Sequence, residues 1–266
     1  AKHKYDFLSI SDHLAVTLAG DENITLLPGL EWNSRAGHMP NTTQTQHDHV
    51  GIHSLDAEKV KGSLRHRTLT DLTTNRLADM LYIANHPDWL ALGHFDLTTL
   101  MRFGSYLDGM EIYNYSIETD PGQADVTWKW DRLLSMGYPL LGFAHDDSHT
   151  TEDIGNAWLM VQAANNSAEE IFKSLKCGNF YCSTGVKIEQ LERHESTLCI
   201  SLAEEANIRV IGSFGKVLAS HNGQEMEWNF SGGKTDYARF HVRNSTWQQA
   251  WSQPFFQVGH HSPDQI

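Results

Sequence analysis

The chain is short of cysteine, of long apolar runs and of positive charge, and each shortage excludes something. Three cysteines in 266 residues leave at least one unpaired and do not make a disulfide framework. Reduced thiols at Cys177, Cys182 and Cys199 fit a cytoplasmic setting. No apolar stretch approaches the ~20 residues that a membrane-spanning helix needs. Residues 1–4 show no basic stretch leading into an apolar one, so no secretory leader is visible there. Lysine and arginine number 20 against 33 aspartates and glutamates, for a formal net charge of −13. That balance repels a phosphate backbone and disfavours a nucleic-acid scaffold role, whereas bound divalent cations would offset part of it.

Histidine is plentiful by contrast, at sixteen. Imidazoles also fill exposed loops and satisfied cores, so their positions decide what they mean. Residues 5–10, 25–27, 81–84, 109–113 and 140–144 form short apolar runs, separated by amphipathic stretches at 69–80 and 124–136. Strands alternating with helices predict βα units and a parallel sheet, closed as a barrel. A helix is expected over 167–176, with Ser167 as its N-cap, Glu169 and Glu170 in its first turn, and Gly178 past its end. Beyond about residue 183 the pattern changes to short strand-like runs at 197–203, 208–213, 226–230 and 237–243. The expected organisation is a first domain over 1–184, a β-sandwich-like module over 185–258 and a disordered tail over 259–266.

Metal-ligating residue types gather at the expected strand ends. The first strand runs into Asp12-His13, the second leads through Pro28-Gly29 to Glu31, the third ends at Asn85-His86-Pro87, and the fifth ends at His145-Asp146-Asp147-Ser148-His149. In a parallel barrel those ends face the active site. Imidazole mixed with carboxylate suits Mn²⁺, Zn²⁺ or Fe²⁺, and a carboxylate can bridge two ions. The Asp-x-His spacing places Asp147 and His149 on one side of an extended segment. Each pair alone has a bland reading as a turn, a cap or a strand end; four strand ends together are harder to dismiss. His47, His49 and His53 form a loop cluster that could bind metal or substrate, with exposed loop histidines as the preferred reading.

The motifs taken in order resemble those of the polymerase-and-histidinol-phosphatase (PHP) family. Tyr5-Asp6-Phe7-Leu8-Ser9-Ile10-Ser11-Asp12-His13 is similar to its strand ending in Asp-His. Leu27-Pro28-Gly29-Leu30-Glu31 resembles its Pro-Gly-x-Glu segment, Asn85-His86-Pro87 its His-Pro motif, and Asp147-Ser148-His149 its closing Asp-x-His. Gly109-Met110-Glu111-Ile112-Tyr113-Asn114, Trp130-Asp131-Arg132-Leu133-Leu134 and residues 178–185 resemble the CehA/McbA-like branch. The resemblance implies an α/β fold: a distorted (βα)7-type barrel with a β-rich C-terminal extension. Members begin with a His-x-His strand that is not seen ahead of residue 5, so the barrel is expected to be N-terminally incomplete and short of two ligands. It also implies two or three divalent ions in the complete family site.

The expected activity is metal-dependent hydrolysis of an ester bond in a small molecule, first of all a phosphoester, with a carbamate or carboxyl ester as the alternative. Asp12, His13, Glu31, His86, Asp147 and His149 are the expected metal ligands, with Glu31 bridging. His145 or His38 would carry the proton to the leaving group. No arginine cluster stands out for gripping a phosphate, and Arg35 and Arg102 are no more than candidates. A serine hydrolase is disfavoured because no Gly-x-Ser-x-Gly elbow is present. A structural zinc module is disfavoured because paired Cys-x-x-Cys spacing is absent. A PHP-derived binding domain without turnover stays open. Trp228, Trp247 and Trp251 are expected either in the core of the C-terminal module or on a binding platform.

Overall fold

A computed structural model describes residues 5–18, 23–34, 48–90, 95–230 and 235–257. Arg35, His38, His47 and the tail expected over 259–266 lie outside the described residues. Strands β1 (Phe7–Leu8) and β2 (Thr25–Leu26) pair in parallel. Strands β3 (Gly29–Asn33), β4 (His49–His53), β5 (Leu81–Ala84), β6 (Gly109–Asn114) and β7 (Leu141–His145) form one sheet in sequence order. The segment after β1 reaches this sheet through a parallel bridge between His13 and Glu31.

This is not a (βα)7 barrel. The β3–β4 and β4–β5 pairs are antiparallel, and only β5–β6 and β6–β7 are parallel. The helices are short: α1 (Ala57–Gly62), α2 (Leu69–Thr74), α3 (Leu97–Phe103), α4 (Thr127–Ser135) and α5 (Ala168–Cys177). Five α-helices stand against fifteen strands among the described residues, too few to follow each strand with a helix. Residues 49–53 conceal a strand. Three of the five are histidine or glycine, which suggests a loop, yet Val50 and Ile52 alternate with them and are fully buried.

That alternation organises the site. Leu30 pairs with Ile52 and Trp32 with Val50 on one face, where all four are buried. Gly29 with His53, Glu31 with Gly51, and Asn33 with His49 share the other face. The β4–β5 register extends this second face to Leu81 and Ile83. The β5–β6 and β6–β7 registers carry it on to Gly109, Glu111 and Phe143. A bulge between Glu111 and Tyr113 turns Asn114 towards Glu111, and their side chains hydrogen-bond at 2.9 Å.

The remaining strands are β8 (Trp158–Val161), β9 (Phe180–Ser183), β10 (Ile188–His194), β11 (Thr197–Gly212), β12 (Lys216–Asn229), β13 (Tyr237–Arg243), β14 (Gln249–Ser252) and β15 (Phe255–Phe256). Expected as a sandwich after residue 185, they are hydrogen-bonded into a single eight-stranded antiparallel sheet that also takes in β8 and β9. Trp251 is fully buried, stacked between Tyr113 and His241, while Trp247 is 72% exposed; the two do not share a platform. The helix expected over 167–176 is present at Ala168–Cys177, capped by the Ser167 side chain and ended by Gly178 in the left-handed conformation. No helix among the described residues is long and apolar enough to cross a membrane.

A buried ion pair ties the eight-stranded sheet to α4. Arg239 on β13 donates from Nε and Nη2 to both oxygens of Asp131 on α4, at 2.8 and 2.7 Å, and its guanidinium lies over the Trp130 ring. The Tyr237 hydroxyl donates to the same carboxylate at 2.9 Å. Breaking such a pair strands a charge in a low-dielectric interior. Arg239→Met is therefore expected to lower the unfolding free energy by about 3–5 kcal/mol. Urea denaturation checks this, and a loss under about 1 kcal/mol would show that the pair does not hold the sheet to α4.

Candidate metal centre

Three imidazoles converge on one buried carboxylate. Glu31 sits in mid-strand on β3, opposite Gly51 of β4. Its Oε1 lies 3.0 Å from His49 Nδ1 and 3.0 Å from His86 Nε2, and its Oε2 lies 3.0 Å from His13 Nδ1. The Asn85 amide also donates to Oε1 at 3.0 Å. Gly51 makes room for that amide, because a Cβ there would sit 2.9 Å from Asn85 Oδ1. Asn33 contacts His13 Nδ1 at 3.2 Å and His49 Nε2 at 2.6 Å, fixing both rings.

His86 reaches Glu31 from the loop after β5, with φ at +28°, a conformation rarely adopted by a non-glycine residue. Two groups hold that loop. The His86 backbone N–H donates to Glu111 Oε2 at 2.5 Å. The buried Lys129 ammonium of α4 donates to the Pro87 carbonyl at 2.7 Å and to Asp88 Oδ1 at 2.5 Å. Glu111 then accepts from Asn114 and, through Oε1, contacts His145 Nδ1 at 2.7 Å.

The electrostatics follow from burial set against these contacts. Burial opposes charge on Glu31, but hydrogen bonds from His13, His49 and His86 hold its pKa far below the ordinary carboxylate range. The Glu31 hydrogen bond raises His13 to about 9. Burial lowers His49. Burial also works against charge on His86, yet Glu31 and the nearby Glu111 carboxylate leave its pKa raised. Burial, followed by the charge of Glu111, raises Asp147. A carboxylate kept ionised in the interior, with imidazole protons supplying the counter-charge, is a donor set that a divalent ion can take over.

The ligand atoms of His13, Glu31 and His49 lie within 4.8 Å of one another. Bonds of about 2.0–2.2 Å to nitrogen and oxygen would draw such a set around one ion, so the residues fit a divalent metal. Of the expected ligands, His13, Glu31 and His86 come together here. Asp147 lies beside them, its Oδ2 3.2 Å from Asn114 Nδ2, with its backbone at φ +50°. Asp12 is exposed on the rim and accepts a hydrogen bond from Thr17. His149 is exposed, its Nδ1 2.8 Å from the Asp147 carbonyl oxygen, and is not part of the close ligand group. Asp146 turns away to accept from the backbone N–H groups of Gly155, Asn156 and Ala157 and from the Tyr5 hydroxyl.

His49 joins the cluster although its histidine- and glycine-rich surroundings look like a loop in the sequence. The alternation of Val50 and Ile52 was the signal that placed it beside Glu31 on one strand face. Arg102 lies over the Phe103 ring on α3 and does not line the cavity next to the cluster.

A family model described as PHP-associated matches residues 134–180. The matched stretch runs from the end of α4 through β7, residues 145–149, β8 and α5 to the first residue of β9, and it supports an association with PHP domains. No curated protein matches the chain.

The raised pKa of His13 has a testable sign. Its contact with Glu31 stabilises the metal-free fold fully below the unfolded value near 6.5, and that contribution is lost as pH rises through about 9. In an NMR titration of the metal-free chain, His13 should titrate near 9, and Glu31→Gln should return it towards 6.5. A His13 pKa indifferent to Glu31→Gln would contradict the arrangement.

Proposed function

We propose that the chain is a metal-dependent hydrolase acting on an ester bond. The observation that carries this is the convergence of His13, His49 and His86 on buried Glu31, beside a cavity large enough for a small molecule. His13, Glu31 and His49 would hold a divalent ion, Mn²⁺, Zn²⁺ or Fe²⁺ by their chemistry, with His86 and Asp147 as neighbouring donors. Such an ion supplies Lewis acidity, lowering the pKa of water and polarising the ester oxygen. Two or three ions, as in the complete family site, would draw on further ligands such as Asp12 and His149.

The chain's own residues supply the proton path. Glu111 holds His145 through Nδ1, which leaves Nε2 to take a proton from water and return it to the leaving oxygen. In the balanced reaction the bond from the acyl or phosphoryl centre to the leaving oxygen breaks and a bond to the water oxygen forms. The second water proton ends on the acid product or in solvent. Lys129 and the Glu111 contact to the His86 N–H keep His86 in place while this happens.

A binding domain without turnover is the second reading, favoured by a close ligand group of only three among the described residues. The deciding experiment dialyses the chain against chelator, reloads it with Mn²⁺ or Zn²⁺, and follows an aryl ester and an aryl phosphate. Metal-dependent turnover is expected, falling by at least about 100-fold in Glu31→Gln and in His145→Ala. Tight metal binding with no turnover would support the second reading, and a chain that binds no metal would overturn both.

A further inference from the structure

We infer that His53, held by Ser9, donates a hydrogen bond from Nε2 to the substrate oxygen on which charge develops, which rests on the hydrolase reading above. Ser9 Oγ lies 2.8 Å from His53 Nδ1. Both residues line a cavity of about 1100 Å³ that also meets Glu31, Asn85, Glu111 and His145. The ring has a seat made of two glycines. Gly29 pairs with His53 across the strands, and Gly51 precedes it by two residues on the same face. A Cβ on Gly29 would come within 2.6 Å of His53 Nδ1, and one on Gly51 within 3.2 Å of Nε2. The imidazole therefore lies along the sheet face, and a side chain at Gly29 would lift it off. The same point above Gly51 is 2.9 Å from Asn85 Oδ1, so Nε2 lies towards the end of the face where Asn85 holds Glu31.

The hydroxyl behind the ring assigns the imidazole proton to one nitrogen. Among the described residues His53 is the hydrogen-bond partner of the Ser9 side chain. Giving its single proton to Nδ1 leaves the imidazole proton on Nε2. Burial lowers the His53 pKa to about 3, so the ring is neutral near neutral pH. Among the described residues nothing accepts from Nε2, and the ring meets the cavity. His145 differs in what stands behind it. The Glu111 carboxylate lies 2.7 Å from His145 Nδ1, and its charge favours the imidazolium that forms when His145 takes a proton. His53 has an uncharged hydroxyl in that place, so it keeps its proton and offers it as a hydrogen bond. A fixed neutral donor beside the cluster stabilises an oxyanion as it forms, on a carbonyl or a phosphoryl oxygen alike, and no proton changes hands.

The test uses the full chain labelled with ¹⁵N-histidine and loaded with Zn²⁺. Two-bond proton–nitrogen correlation spectra should show His53 as the Nε2–H tautomer, and Ser9→Ala should leave a mixture of tautomers. An Nδ1–H tautomer in the unaltered chain would overturn the inference. On whichever of p-nitrophenyl acetate and p-nitrophenyl phosphate is turned over, His53→Phe should lower kcat about 100-fold, with KM and metal stoichiometry unchanged. His53→Gln, whose amide still donates, should recover part of that loss, which a merely structural role would not allow. A kcat lowered less than about threefold in His53→Phe would overturn the donor role. Should neither ester react, N-phenylacetamide is titrated into the labelled chain as an uncleaved carbonyl probe. A shifted Nε2 signal, with binding lost in His53→Phe, would uphold the donor while the hydrolase reading falls. An unmoved signal would overturn the donor.

Discussion

Glu31 bears a negative charge where only 5% of its surface meets water, and its four neighbours make sense only around that charge. An isolated buried carboxylate would take up a proton rather than stay ionised. Here three imidazoles and the Asn85 amide direct their polar atoms at its two oxygens, and burial is outweighed. The four neighbours come from three pieces of chain: His13 from the segment after β1, His49 from strand β4, and Asn85 and His86 from the loop after β5. The carboxylate thereby ties together parts of the fold that share no helix. Gly51, Asn33, Lys129 and Glu111 act a step further out, by making space for, or fixing, the groups that touch it.

The sheet turns a rule of strand geometry into a division of labour. Residues one apart point to opposite faces, so β3 and β4 give Leu30, Trp32, Val50 and Ile52 to the core and Glu31, Asn33, His49 and His53 to the site. On the site face the strands change from polar to apolar towards Leu81, Ile83 and Phe143. The polar end and the apolar end of that face arise from the same register. A shift of one residue between β3 and β4 would send Glu31 into the core and Leu30 into the site. The buried Asp131–Arg239 pair holds the second sheet against α4, whose Lys129 in turn holds the His86 loop, so packing between the sheets reaches the site in few steps.

Elements whose signals are local were legible in the sequence. Strand β5 stood out as a short apolar run closed by Asn85-His86-Pro87, and α5 was marked at both ends by Ser167 and Gly178. His13, Glu31 and His86 were recognisable by type and motif order. Strand direction was not legible, because nothing in residues 49–53 states which neighbour they pair with or in what sense; antiparallel pairing of β3, β4 and β5 replaced the expected barrel. His49 was lost for the same reason, since a strand with histidines on its site face looks like a loop until its pairing is known. The long strands β11 and β12 look like separate fragments in the sequence because charged residues on their exposed stretches interrupt the apolar pattern. In the Asp146-Asp147 pair, identical side chains part company: one binds backbone donors of a loop and the other faces the cluster. Only tertiary context separates them.

Binding of a divalent ion by Glu31 and its imidazoles, as proposed, is tested most directly by X-ray absorption spectroscopy of the chain reloaded with Zn²⁺. Nitrogen and oxygen neighbours at about 2.0–2.2 Å are expected, with the more distant scattering of at least two imidazoles, and loss of that pattern in Glu31→Gln. A spectrum of hydrated ion without imidazole scattering, or one unchanged by Glu31→Gln, would contradict it.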